Sequence, residues 1–402
     1  MKRHYQALSF TVLFFSLVFT GKGQYIWSKR DSIPQLKRVL PATFTIGTKA
    51  FMGGSRSSSG TLEKDFWCYN PSKDTWTKKG DMPGNGRYAP AHFSIGSKGY
   101  MGLGYDGSVL NDFWQYDTLT DKWTQKASYP GAPRYEPTSF VINGKAYVGM
   151  GSAGGPPYLQ DFYCYDPALD KWTAIASFPG TGRNSTFSFV INGKAYVGMG
   201  WDGTTHGNDW WVYDPATNKW TQKANFPSTG RDGGASFVLD TTGYIVGGKT
   251  ATALSVNEFW KYSAATDTWT ALTPFPGDKR YWATGFVVNK TFYYGLGYNE
   301  LTSSYLSDFW QYAPKAISSI AERSDKKEFL LYPTINTGAF FINTDLRSYL
   351  IKIFDMDGRL VYEKTADENY IQTSLEPGTY LYTLSGIKSE DLPKMGRFIV
   401  TK

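Results

Sequence analysis

Six tryptophans set the frame of this chain. Trp27, Trp76, Trp123, Trp172, Trp220 and Trp269 stand 49, 47, 49, 48 and 49 residues apart. An arginine lies 11 residues after each of them, at Arg38, Arg87, Arg134, Arg183, Arg231 and Arg280. An acid followed by two aromatics, or by an aromatic pair with a variable partner, begins at Asp65, Asp112, Asp161, Asp209, Glu258 and Asp308, and the first five acids lie 11 residues before a tryptophan. Spacing kept this closely belongs to a repeat architecture, in which each unit buries its apolar face only against its neighbours.

One period is clearest from Asp112 to Gly151. Phe140-Val141-Ile142, a turn at Asn143-Gly144 and Ala146-Tyr147-Val148-Gly149 predict a hairpin. Strands at Phe113–Tyr116 and Lys122–Gln125 complete a unit of four short strands, the size of a propeller blade. The glycine-rich ends, the tyrosines and the tryptophans at these places resemble kelch repeats from Trp27 to Tyr312, with Gly-x-Gly replacing Gly-Gly in four copies. The resemblance implies a six-bladed kelch-type β-propeller, and the chain as a whole reads as all-β.

The ends of the array predict how it closes. The first copy begins at its last strand, around Trp27, and the last copy stops after Asp308-Phe309-Trp310-Gln311-Tyr312. Each half supplies what the other lacks, so the N-terminal strand is expected to complete the C-terminal blade and hide two sheet edges.

Ahead of the array, Lys2, Arg3 and His4 precede an apolar run from Ala7 to Phe19, then Gly21 and Gly23. This reads as a signal peptide over residues 1–23, too short and wrongly flanked for a membrane span. No later segment is long and apolar enough to cross a bilayer. The propeller, residues 24–312, carries 27 Lys and Arg against 23 Asp and Glu without basic runs, which excludes a nucleic-acid footprint. Cys68 and Cys164 occupy equivalent strand positions two blades apart and are expected to be free, mostly buried thiols.

Residues 313–328 read as a polar linker. Beyond it, Tyr332-Pro333-Thr334-Ile335-Asn336-Thr337-Gly338-Ala339-Phe340, Ile351-Lys352-Ile353-Phe354-Asp355, Gly358-Arg359-Leu360-Val361 and Gly378-Thr379-Tyr380-Leu381 form a second pattern. It resembles the C-terminal sorting domain of type IX secretion cargo, with Thr334-Ile335 where that family usually has Asn-Pro. The resemblance implies a small β-sandwich over residues 329–402 that engages the type IX secretion machinery and takes the protein to the cell surface or the medium.

The repeated arginines allow two readings. Six guanidinium groups could ring one mouth of the channel and attract an anion. Alternatively each forms a fork with one of the six repeated acids, which requires arginine rather than lysine. The one-to-one match favours the forks, so ligand chemistry is sought where the copies differ. The variable stretches are the loops between the Gly-x-Gly ends and the next acid, expected on the face that carries the arginine loops. Copies two, four and six place an aromatic and a polar turn there: Tyr105-Asp106, Trp201-Asp202 and Tyr298-Asn299-Glu300. An aromatic beside a carboxylate suits a sugar face and its hydroxyl rim, and it equally suits a capped Asp-Gly turn.

Catalytic options are few. The sequence shows no metal-ligand cluster, no phosphate loop and no cofactor motif. Beyond residue 23 only His92 and His206 are histidines. His206 reads as a solvated loop residue. Glu136 stands two residues after Arg134, where other copies carry Leu40, Ala89, Ser185, Gly233 and Trp282, and with His206 it would make an acid/base pair at the mouth. Three readings follow. The first is an exported propeller that binds a glycan or a protein ligand through its variable loops. The second is a sugar-active enzyme, by resemblance to the six-bladed kelch sialic acid mutarotases. The third is a passive surface or matrix component.

Overall fold

The computed structural model describes residues 25–314, except 31, 33–36 and 253, and residues 330–400, except 333–334, 337–338, 344–347, 369 and 387–393. The expected signal peptide and nearly all of the expected linker lie outside these residues. The chain divides into two compact units, Met1–Lys315 and Ala316–Lys402.

Among the described residues of the first unit, the strands form six antiparallel blades. Blade one holds Ala42–Ile46, Lys49–Ser57, Leu62–Asn70 and Thr75–Lys79, with the short strand Arg38–Val39 added to its second strand. Blade two holds Ala91–Ile95, Lys98–Gly102, Phe113–Asp117 and Lys122–Lys126; blade three holds Thr138–Ile142, Lys145–Gly149, Phe162–Asp166 and Lys171–Ile175. Blade four is Phe187–Ile191, Lys194–Gly198, Trp210–Asp214 and Lys219–Lys223, and blade five is Ala235–Leu239, Thr242–Val246, Phe259–Ser263 and Thr268–Leu272. Blade six takes Thr284–Val288, Thr291–Gly295 and Phe309–Pro314 from one end of the array and Tyr25–Arg30 from the other.

This closing strand keeps the register of the others. Trp27 faces Tyr312 as Trp76 faces Tyr69, Trp123 faces Tyr116 and Trp172 faces Tyr165. The strand runs on to Pro314, paired with Tyr25, two residues past the boundary the sequence suggests at Tyr312. Aromatic packing between blades explains why the Trp–Tyr pair recurs. Phe113 of blade two meets Tyr165 and Trp172 of blade three at 4.9 and 5.1 Å. Phe309 of blade six meets Tyr69 and Trp76 of blade one at 5.5 and 5.6 Å, closing the circle. Trp27 does the same for Phe259 of blade five at 5.4 Å. Edge-to-face pairs of this kind add about 0.5–1.5 kcal/mol each beyond the area they bury. Cys68 and Cys164 are free thiols, the first buried and the second half-buried.

The second unit has a three-stranded sheet (Leu330–Tyr332, Ala339–Asn343, Tyr370–Gln372) and a five-stranded sheet. The latter holds Ile335–Asn336, Lys394–Val400, Gly378–Gly386, Tyr349–Phe354 and Leu360–Ala366. Ile371 of the first packs in one core with Ile351, Ile353, Tyr382 and Leu384 of the second, a small β-sandwich. Its Gly358-Arg359 turn has Gly358 at φ +83°, with the Asp355 carboxylate accepting from the Arg359 N–H at 2.9 Å.

Candidate functional site

The repeated arginines are spent inside the scaffold. Arg38, Arg134, Arg231 and Arg280 have no exposed surface, and Arg87 and Arg183 have almost none. Each pairs with the acid of its own blade. Arg38 donates two bonds of 2.9 Å to Asp65, Arg134 two of 2.8 Å to Asp161, and Arg280 bonds of 2.7 and 2.8 Å to Asp308. In five blades the tryptophan after the acid adds its indole N–H to the same carboxylate, as Trp114 does to Asp112 at 2.8 Å. The guanidinium also donates to the carbonyl inside Gly-x-Gly, as Arg134 does to Met150 at 3.0 Å. A ring of free guanidinium groups at the mouth is thereby ruled out.

Two backbone circuits hold the mouth rigid. The N–H that ends each glycine motif donates to the arginine carbonyl of the next blade: Ser55 to Arg87, Gly104 to Arg134, Gly151 to Arg183, Gly200 to Arg231, Gly248 to Arg280 and Gly297 back to Arg38. Five of the six blades place glycine in this turn, Ser55 of blade one being the exception; at Gly104, with φ +90°, a Cβ would stand 2.8 Å from the Tyr88 carbonyl oxygen. Deeper in, the residues two past each arginine all take left-handed backbone, from Leu40 at φ 50° to Gly233 at φ 62°. Their N–H groups link blade to blade at five junctions, Ala89 to Leu40 and Glu136 to Ala89 among them. At the sixth, between Glu136 and Ser185, the Ser185 hydroxyl donates to the Glu136 carboxylate.

A cavity of about 190 Å³ lies inside this circuit and is lined by all six blades, with small polar residues such as Thr43, Ser139, Ser188 and Ser236 on its wall. Glu136 is the single acid of that wall. Burial pushes its carboxyl up to about 7, and the Ser185 bond only partly offsets this. His92 also lines the wall, with Nδ1 3.1 Å from the Pro90 carbonyl oxygen.

Above the cavity, the residue after each arginine pairs with the residue after the glycine motif. The six pairs are Val39–Arg56, Tyr88–Tyr105, Tyr135–Ser152, Asn184–Trp201, Asp232–Lys249 and Tyr281–Tyr298. The variable loops and the arginine loops therefore share a face, and this rim brings together Tyr105, Trp201 and Tyr298 from alternate blades. Tyr88, Tyr105 and Tyr135 cluster with centroids 5.6–6.0 Å apart. Tyr298 packs against Tyr281 and Tyr305 at 5.8 and 5.1 Å.

The acids of these loops have other work. Asp106 accepts from the Ser108 N–H at 3.2 Å and from Asn85 at 3.0 Å. Asp202 accepts from the N–H groups of Thr204 and Thr205 at 2.8 and 2.7 Å and from the Thr205 hydroxyl at 2.9 Å. Burial raises the Asp202 pKa, and these loop donors outweigh it, so the carboxyl sits below its ordinary value. Both acids form capped turns, the second of the two readings the sequence allows. Glu300 is bound to Lys249, with Nζ 2.9 Å from Oε2.

The polar centre of the rim is instead Asp232. It is 9% exposed, and its Oδ1 has no hydrogen-bond partner. Burial first, then the Glu136 charge, pushes its carboxyl up to about 8. His206 stands beside it, Nε2 3.7 Å from Oδ1, with its ring 4.6 Å from the Trp201 indole. Its side chain is only 8% exposed, so His206 is no solvated loop residue, and its partner is Asp232 rather than Glu136. Burial, then the Lys249 charge, holds the imidazole below its ordinary pKa. Trp201 reaches across to the Tyr158 hydroxyl. Sequence reasoning missed the column one residue past the arginine. Its signal was Asp232, an acid in a column otherwise made of Val39, Tyr88, Tyr135, Asn184 and Tyr281.

Among the described residues no group of three or more His, Cys, Asp or Glu could hold a metal ion. Blade geometry, arginine forks and glycine turns together define a kelch-type propeller. The Kelch motif matches residues 52–83 and 99–128, and the secretion system C-terminal sorting domain matches residues 330–400. The chain is thus a six-bladed kelch-repeat propeller with a type IX secretion sorting domain, exported to the cell surface or secreted. The solved structure of YjhT shares the fold, with a TM-score of 0.61 at 16% identity over 70% of this chain and 96% of that one. Among curated proteins, none matches.

Proposed function

We propose that the exported propeller binds a glycan at the rim of its channel. The observation that carries this reading is the set of half-buried rings, Tyr105, Trp201 and Tyr298, held in register on short paired loops around one mouth. Rings fixed this way lose little side-chain entropy when a sugar face stacks on them. A glycan array followed by surface plasmon resonance is the direct assay. Trp201→Ala should cost on the order of 2 kcal/mol, roughly 30-fold in Kd. Unchanged binding by a normally folded Tyr105/Trp201/Tyr298 triple alanine variant would remove the rings from the site.

One observation favours a second reading, an enzyme that interconverts sugar forms by acid/base chemistry. Glu136 and Asp232 lie at the same mouth with carboxyls pushed up to about 7 and about 8, the range in which a side chain can both give and take a proton. Exchange between anomers followed by NMR, and lost in Glu136→Gln, would support it. A binding protein leaves the anomers at their uncatalysed rate.

A further inference from the structure

Three neighbouring side chains on the rim of blades four and five are buried with a polar atom unused. Asn184 is 7% exposed and Asp232 9%, the His206 side chain is 8% exposed, and Asn184 Oδ1, Asp232 Oδ1 and His206 Nδ1 have no hydrogen-bond partner. They are contiguous through Trp201, which bridges to both Asn184 and His206 along the backbone, and through the 3.7 Å approach of His206 to Asp232. Unused buried polar atoms cost about 1–3 kcal/mol each, and a cluster of them calls for a partner that the chain does not supply.

Resting on the glycan reading above, we infer that the site takes an uncharged, hydroxyl-rich sugar unit stacked on Trp201 and hydrogen-bonded by Asn184, Asp232 and His206, and that it discriminates against acidic sugars. The Asn184 amide oxygen needs a donor, and the Asp232 carboxyl, pushed up to about 8 by burial, offers a hydroxyl beside its carbonyl oxygen. Hydroxyl groups donate as well as accept, whereas a carboxylate or sulfate ligand only accepts. An acidic sugar also needs a fixed cation, and the site has none to give. All six repeated arginines are buried and paired with their acids, Arg231 through Nη2 alone with its Nη1 unbonded, and Lys249 is held by Glu300. Arg56, the exposed cation of the rim, is on blade one, opposite blade four in the circle. Above about pH 8 Glu136 and Asp232 also add negative charge to the same mouth. This selectivity also tells against the sialic acid enzyme that the sequence resemblance implies, because such an enzyme must seat a carboxylate.

The test is an array on which neutral oligosaccharides are printed beside the same oligosaccharides capped with a sialic or uronic acid, probed with the full exported chain. Neutral members should bind, and an acidic cap on the bound residue should abolish the signal. Asp232→Ala should weaken binding by about tenfold or more. It should melt no lower than wild type, because it removes an unsatisfied buried carboxyl. If that variant does not fold, Asn184→Ala gives the same readout. Preference for the acid-capped members overturns the inference while leaving glycan binding intact. Undiminished binding of neutral members by Asp232→Ala and Asn184→Ala also overturns it. Silence across the whole array overturns the glycan reading as well.

Discussion

Glu136→Gln should stabilise the propeller, and the gain should depend on pH. In the native fold burial holds the Glu136 carboxyl near 7 against an ordinary value of 4.5. Below about pH 4.5 the group is protonated whether the chain is folded or not, and it contributes no pH dependence. Between about 4.5 and 7 the unfolded chain releases its proton while the folded chain keeps it, so stability falls as pH rises. Above 7 the loss is complete. The gap corresponds to on the order of 3 kcal/mol at 1.36 kcal/mol per pKa unit. Glutamine keeps the acceptor for the Ser185 hydroxyl and cannot ionise. Asp232 also gains, since a like-charged neighbour that raises its pKa is removed. Melting temperatures of the two proteins should coincide near pH 4.5 and differ by roughly 6 °C at pH 8.5, with the variant higher. A flat difference across this range, or a variant that melts lower at pH 8.5, would refute the reasoning. Either result would mean that the charged carboxylate is well solvated or paired in the native channel.

Three further outcomes are expected. Arg183→Lys breaks the fork to Asp209 and the bond to the Met199 carbonyl, and should cost about 2 kcal/mol of stability by thermal melting with glycan affinity unchanged. A chain of residues 24–314 should be soluble and monodisperse by size-exclusion chromatography with light scattering; aggregation would show that the propeller depends on the sorting domain. Burial raises the pKa of Cys68 and of Cys164. Two thiols should therefore react slowly with Ellman's reagent in the native protein and at once in denaturant.

Much of the fold was legible because a propeller repeats its contacts as well as its residues. The pairing of Tyr with Trp, of Arg with acid and of Phe (Trp210 in blade four) with the next blade's rings recurs in every unit, so it appears as fixed spacing along the chain. Closure was legible for the same reason: Trp27 lacked its acid and Asp308 lacked its tryptophan. The rim was only half legible. Tyr105, Trp201 and Tyr298 stood out as exceptions to their copies, and so did Glu136. Asp106 and Asp202 read equally as free carboxylates or as turn caps because nothing in sequence distinguishes an acid aimed outward from one closing its own turn. The pairing of Asp232 with His206 joins an arginine loop of blade five to a variable loop of blade four. Such a contact is set by how blades meet, and no local pattern records it.

This division between what repeats and what does not also locates the chemistry. In a scaffold whose stability is a sum over similar units and interfaces, a charged group that recurs in each copy finds a charged partner in each copy, although some repeated nitrogens, Trp27, Trp76 and Trp123 Nε1 and Arg231 Nη1 among them, make no hydrogen bond. The arginines and their acids do so. Asn184, Asp232 and His206 occur once each, on one arc of the rim, and each keeps a buried polar atom without a hydrogen-bond partner. Selection for stability alone would replace them with the tyrosine or valine that other copies carry at the first two positions. Their presence beside Trp201 fits a site whose missing partners arrive with the ligand, and the same three residues are the ones whose removal should cost binding without costing the fold.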